Sequence, residues 1–483
     1  MKKEIIIGKY TLESLTNGMY SNPLDLYREY IQNAVDSIDS AKEDMDDANC
    51  QFKIDVRVDD WARVISIKDN GKGIPQKRAI QVLVDIGNSQ KDKKKTRGFR
   101  GIGRLAGLGY CEELKFTTSY QGERTKTVVC FDTKLLGKLL LSEDQTVTSI
   151  HDVMEKVITI SSEQEDESSH YFEVMMDGVS TKEKLLDTEA VENYLVQHVP
   201  LPYDSQFIWA EMIKEKSRLL GYCIPEYRIE LNGKILYKPY KNTFLCDRVR
   251  RCKDNISDVE IMPFYRENKL TAILWSGVIE FYGTILDNQI KGIRIRQGNI
   301  LIGDKTTCND WFKEERFNGW LVGELYVLDS ELIVNARRDY FELNEAHYDL
   351  SEDFKEWSEK KIKYIKKLSY ARNLTDEKNA VINETKGEKI NIEHVENNKY
   401  RECDFINRNE SEEISEIGYM NKLFQIVNQR QRITKYTILN INENISNEQK
   451  KILEKVFDII IKKYDKKVSE KFISNIIEEL LRI

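Results

Sequence analysis

The chain has 483 residues, 40% hydrophobic and 32% charged, with a formal net charge of −7, which suits two to four globular domains at about 100–200 residues each and argues against a generally basic nucleic-acid binder. The opening MKKEIIIGKY offers only a three-residue apolar run, too short for a secretory signal, and no stretch approaches the roughly 20 apolar residues of a membrane span. Eight cysteines without a CxxC pair predict reduced thiols rather than a zinc site or disulfide framework, so the expectation is a cytoplasmic protein with no membrane partner.

In chain order, residues 22–46 predict a helix, with Leu26, Tyr30, Ala34 and Ile38 as its apolar stripe and Pro23 near its start. QFKIDVRVDDWARVISIKD (51–69) alternates at Phe52, Ile54, Val56 and Val58, turns at Asp59–Asp60 and resumes at Ile65 and Ile67, the pattern of a β-hairpin. A second helix follows GKGIP, then a lysine-rich loop with Lys91, Lys93, Lys94 and Lys95. Strands are predicted at CEELKFTTSY, KTVVCFDT and YFEVMMDG, closing a first domain near residue 200. Residues 201–350 predict a second α/β domain, with strands in YRIELNGKILY, AILWSGVIEFYG, GIRIRQGNILIGD and GWLVGELYVLD. A charged helix is expected over 351–374, with Phe354, Trp357, Ile365 and Leu368 on one face, then a polar linker over 375–415. A helical region over 416–483 ends in two amphipathic helices, the first with Ser446 and Gln449 as a capping box.

Three short stretches carry chemistry. In REYIQNAVDS, Glu29 and Asn33 stand at i and i+4 and project from one helix face. In IKDNGKGI, Asp69 ends a strand and is followed by Gly71 and Gly73, which places a carboxylate at the mouth of a sheet, able to accept from an exocyclic amine. In RGFRGIGRLAG, Gly98, Gly101 and Gly103 precede a helix, so main-chain N–H groups are free to converge on phosphate oxygens. No GK[ST] follows, which excludes a Walker A loop.

In this order and within about eighty residues, the set resembles the nucleotide-binding fold of the GHKL ATPases, the superfamily of gyrase B, MutL, the sensor histidine kinases, the MORC proteins and the ninety-kilodalton heat-shock chaperones. The resemblance covers roughly residues 10–180. It implies an α+β chain with an N-terminal GHKL (Bergerat) α/β sandwich, a transducer-like α/β middle domain and a helical C-terminal region. It implies ATP and Mg²⁺ as ligands, Glu29 as the general base that polarises water, Asn33 as the Mg²⁺ ligand, and Asp69 as the adenine-reading carboxylate backed by Gly71 and Gly73. Gly98, Gly101 and Gly103 match the lid glycines, and either Thr117 or Thr118 matches the Thr beside the adenine carboxylate. The sensor-kinase branch is disfavoured, because those kinases lack a Glu in this role.

LYVLDSELIVNARRDYFE (325–342) resembles the middle-domain segment of the heat-shock chaperones whose Arg reaches the γ-phosphate. That resemblance implies Arg338 as the catalytic cation, Arg337 as its neighbour and Asn335 as the loop-shaping residue. Arg294 and Arg296 alternate with Ile295 and are expected to face solvent. The leading expectation is an ATP-driven homodimeric clamp of the heat-shock-chaperone type acting on a protein client. The alternatives are a MORC- or MutL-like clamp on DNA, with RVRRCK (248–253) and KKIKYIKK (360–367) on phosphates, or a switch subunit that gates a partner effector.

Overall fold

A computed structural model describes residues 8–11, 22–44, 51–85, 103–142, 149–247 and 252–385. The chain divides into two compact units, residues 1–365 and 366–483.

The first unit opens on helix α1 (Asp25–Asp44). Leu26, Tyr27, Tyr30, Ile31, Ala34, Val35 and Ile38 are all buried along it. That recurrence is a helical stripe, and each of its large aliphatic side chains contributes about 1.5–3 kcal/mol on burial. Asp25 in the first turn and Lys42 in the last suit the helix dipole. Strands β1 (Lys53–Asp59) and β2 (Val64–Asp69) form the expected hairpin, in register from Ile54↔Asp69 to Asp59↔Val64. Helix α2 (Gln76–Val84) follows Pro75, and a short 3₁₀ helix spans Gly103–Gly109.

Strands β3 (Glu113–Ser119) and β4 (Thr125–Asp132), helices α3 (Thr133–Leu141) and α4 (Ile150–Val157), and strands β5 (Ile158–Gln164) and β6 (Tyr171–Asp177) complete the first motif. Helix α3 is capped by the Asp132 carboxylate, and α4 by a reciprocal Ser149–Asp152 box. Helices α5 (Thr188–His198) and α6 (Ala210–Leu219) then lead towards the second lobe.

The first sheet does not stop near residue 200. Strands β7 (Arg228–Leu231) and β8 (Lys234–Ile235), expected to open the second domain, join it instead. Strand β7 lies parallel to β1, giving an eight-stranded order β5-β4-β3-β6-β2-β1-β7-β8. The reason is local: Asn232 (φ 49°) and Gly233 (φ 80°) make the two-residue left-handed turn that a tight hairpin prefers, and a continuous parallel partner is waiting at β1.

The second lobe holds β9 (Thr243–Asp247), β10 (Cys252–Asn255), β11 (Asp258–Arg266), β12 (Lys269–Val278), β13 (Thr284–Ile285), β14 (Gly292–Gln297), β15 (Ile300–Leu301) and β16 (Val322–Val327). They form a three-stranded sheet β10-β9-β13 and a five-stranded sheet β11-β12-β16-β14-β15.

Arg294 and Arg296 correct the expectation from alternation: they are 1% and 0% exposed. Strand β14 is interior to its sheet and buried almost throughout, and alternation marks a wet face only where one face meets water. Arg296 pairs with Glu324. The same carboxylate accepts from Lys238 at 2.7 Å, Tyr203 at 2.8 Å and Trp275 Nε1 at 3.3 Å. Burial pushes the Lys238 ammonium down to about 7 against the pull of Glu324. The Glu324 carboxyl, which burial alone would raise, is held well below the ordinary range by Arg296 and Lys238. Removing one partner of such a buried set strands the others. Glu324→Ala therefore lowers unfolding free energy by about 3–5 kcal/mol, read as an earlier urea midpoint at unchanged slope.

Helix α7 runs Glu345–Thr385. It therefore continues through 375–385, where the sequence reading begins a polar linker; the 351–374 boundary is too short because charged and polar residues without Gly or Pro remain acceptable on a helix. Phe354, Trp357 and Ile365 are buried, as their spacing implies. The rest of that linker and the terminal helices lie outside the described residues.

Candidate nucleotide site

The strand register assembles one end of the site. Asp69 and Thr118 each stand opposite Phe172, from β2 and β3 respectively. Residues directly opposed across antiparallel strands share a face, so Asp69, Phe172 and Thr118 form one row on one face. Thr117 pairs with Glu173, which pairs with Lys68, so Thr117 points the other way. Of the two threonines, only Thr118 shares the face of Asp69.

Asp69 is 1% exposed, and its Oδ1 accepts from the Gly71 N–H at 2.9 Å. The loop after it needs its glycines. A Cβ on Gly71 would lie 2.4 Å from Ser37 Oγ and 2.7 Å from Asp69 Oδ1; one on Gly73, which has φ +68°, would lie 1.9 Å from the Ser119 carbonyl oxygen. Thr118 Oγ1 accepts from the Ile74 N–H at 2.7 Å, and His170 Nδ1 lies 2.8 Å from the Gly71 carbonyl oxygen. These contacts hold a loop close to a buried carboxylate, an acceptor set suited to an amino group.

Helix α1 assembles the other end. Glu29, Asn33 and Ser37 repeat at i, i+4 and i+8, a single face spanning about 12 Å along the axis. Ser37 meets the Gly71 loop and Glu29 lies at the far end. Glu29 is 8% exposed, and a Cβ on Gly103 would stand 2.4 Å from its Oε2. The glycine therefore allows main chain against the carboxylate. Tyr30 keeps it there, accepting from the Gly107 N–H at 2.8 Å and donating to the Arg104 carbonyl at 3.1 Å. Gly98, Gly101 and the lysine cluster lie outside the described residues.

From the second lobe, Arg338 brings Nε to 3.4 Å from Glu29 Oε1. Its neighbour Arg337 is exposed. Arg338 has φ 58°, a left-handed conformation that costs a non-glycine residue about 1–2 kcal/mol. The surrounding turn holds it: the Arg338 N–H donates to the Asn335 carbonyl at 3.2 Å, Gly303 N–H donates to the Arg338 carbonyl at 2.9 Å, and the Asn335 amide donates to Asp339 at 2.6 Å. Asn335 is thus hydrogen-bonded to both Arg338 and Asp339 within this turn.

Reasoning from sequence passed over Arg28 and Asp25. Arg28 is 3% exposed, 3.7 Å from Glu29 and 3.5 Å from Asp25, and it donates to the Arg337 carbonyl at 3.1 Å. Burial raises the Asp25 carboxyl, with Arg28 and the Tyr194 hydroxyl opposing. The only sequence signal was a charged pair at i and i+3 on an otherwise apolar stripe, which reads equally as surface.

Among the described residues, no three His, Cys, Asp or Glu side chains converge as a metal cluster.

Residues 27–159 match a family model described as histidine kinase-, DNA gyrase B- and HSP90-like ATPase. A stretch of 115 residues is 35% identical to the chaperone protein HtpG of Polaromonas naphthalenivorans (strain CJ2), covering 20% of this chain and 18% of that protein. The chain thus matches less than a fifth of that relative's length. No helix among the described residues is long and apolar enough to cross a membrane.

Proposed function

We propose, from the premise that this chain carries a GHKL-superfamily ATPase domain close to the heat-shock-chaperone type, that it binds ATP with Mg²⁺ and hydrolyses it. The observation that carries the reading is the meeting of Glu29, Gly103 and Arg338 at one end of helix α1, with the Asp69–Gly71–Gly73–Thr118 cluster at the other.

In this reading Asp69 accepts from the adenine amino group while Gly71, Gly73 and Thr118 hold the loop around it. Mg²⁺, held by Asn33 and the phosphates, would neutralise their charge. Glu29 orients water and takes its proton. Arg338 moves from Glu29 to the γ-phosphoryl group and stabilises the charge that develops there. The Arg338–Glu29 pair keeps base and cation engaged with one another until a triphosphate separates them. Gly98, Gly101 and Gly103 would supply main-chain donors to the phosphates.

The proposed working form is a homodimeric clamp acting on a protein client, supported by the chaperone-like segment around Arg338 and by the acidic balance of the chain. The second reading is a clamp on DNA or a switch for a partner effector. Steady-state phosphate release with and without plasmid DNA, against Glu29→Ala as blank, separates them. A rate indifferent to DNA supports the client reading; one that rises with DNA and falls with salt replaces it.

Asp69→Asn tests the base contact. The amide retains the shape but presents an N–H₂ to the adenine amine and weakens ATP binding about 10- to 100-fold, on the scale of a lost charged hydrogen bond. Isothermal titration with a non-hydrolysable ATP analogue checks this; wild-type affinity in the variant would mean another group reads the base.

A further inference from the structure

Helix α5 carries two polar side chains that reach in different directions. Gln197 accepts at Oε1 from Arg294 at 3.2 Å, and its main-chain carbonyl accepts from Arg296 at 2.8 Å. One turn earlier, Tyr194 donates its hydroxyl to Asp25 Oδ1 at 2.7 Å. The Tyr194 ring is stacked on His198 at 3.9 Å with 6° between planes, which leaves the hydroxyl little freedom. Asp25 in turn is 3.5 Å from Arg28, whose guanidinium reaches both Glu29 and the Arg337 carbonyl. Polar contacts thus run from Glu324 through Arg296 to Gln197 and, separately, from Tyr194 through Asp25 and Arg28 to Glu29, the two runs sharing helix α5.

Two carboxylates compete for one arginine here. Without a fixed Asp25, Arg28 would be drawn wholly to Glu29, compensating the carboxylate that has to act as base, and its hold on the Arg337 carbonyl would shift. The Tyr194 hydroxyl is what fixes Asp25 from outside helix α1. Phenylalanine would keep the ring, its burial and the stack on His198, so packing alone does not need the oxygen.

We propose that Tyr194 is a positioning residue for hydrolysis: by fixing Asp25, and through it Arg28, it sets the Arg338 loop against Glu29. The proposal rests on the ATPase reading above and adds to it a residue that touches neither nucleotide nor water.

The test uses the full chain. Steady-state ATPase is measured for wild type, Tyr194→Phe, Asp25→Asn and the double variant, with Glu29→Ala as blank and thermal midpoints recorded alongside. Tyr194→Phe lowers kcat about tenfold with KM for ATP and the thermal midpoint near wild type. The double variant is no slower than Asp25→Asn alone, because the two act as one unit. An unchanged kcat in Tyr194→Phe overturns the proposal. So does a loss matched by a raised KM and a lowered midpoint, or effects that multiply in the double variant. A wild-type rate no higher than the blank is a separate result: it overturns the ATPase reading and this proposal with it.

Discussion

Glu29→Ala binds ATP within a few-fold of wild type and loses turnover by about 10²–10⁴ in kcat, the range for removing a positioned general base. Glu29 stands at one end of helix α1, against Gly103, Arg28 and Arg338, while the cluster proposed to read the base gathers at Ser37 and Asp69. Removing the carboxylate leaves the second cluster untouched. It also leaves Arg28 and Arg338 without their shared anion, which favours a polyphosphate, so affinity holds or rises. Titration calorimetry and phosphate release together check both halves. Turnover at the wild-type rate in Glu29→Ala would assign water activation to another group.

Arg338→Ala lowers kcat by about 10³, the lower end for an arginine that stabilises a transferring phosphoryl group. KM changes little, because the cation acts most strongly on charge present only in the transition state. Arg338→Lys recovers only part of the rate: a lysine offers a point charge on a flexible stem in place of a planar fork. Arg337→Ala keeps the wild-type rate, since its side chain is exposed and the carbonyl that Arg28 engages is unchanged by the substitution. Single-turnover phosphate release across the three variants is the measurement. Equal losses at 337 and 338 would mean that general positive charge at this loop, not one aimed guanidinium, carries the effect.

The candidate site was legible wherever its proposed chemistry is written in short spacings. Glu29 with Asn33, the Asp69–Gly71–Gly73 run and the Asn335–Arg338 turn each confine their meaning to a few residues. The choice between Thr117 and Thr118 was not decidable from sequence, because it needed the register with Phe172, and register depends on a strand fifty residues away. Arg28, Asp25 and Tyr194 were not legible, because their roles arise only when α5 and the Arg338 loop fold against α1. Arg294 and Arg296 misled for a related reason: alternation describes a strand and not what covers it. In the fold, the β1–β2 hairpin and α1 followed from periodicity. The destination of β7 did not, since LNGK announces a hairpin without naming the sheet it joins.

That destination decides how the chain can be cut. Lys53 to Val56 on β1 are paired with Arg228 to Leu231 on β7. A fragment ending at residue 200 would strip this partner and leave β1 as a bare edge with unmet main-chain donors and acceptors, a template for aggregation. A fragment carried past Ile235 keeps β7 and β8 as cover. A fragment that keeps the whole first sheet is therefore longer than the stretch that carries the motifs, and its last strands are encoded after the two helices that lead away from it.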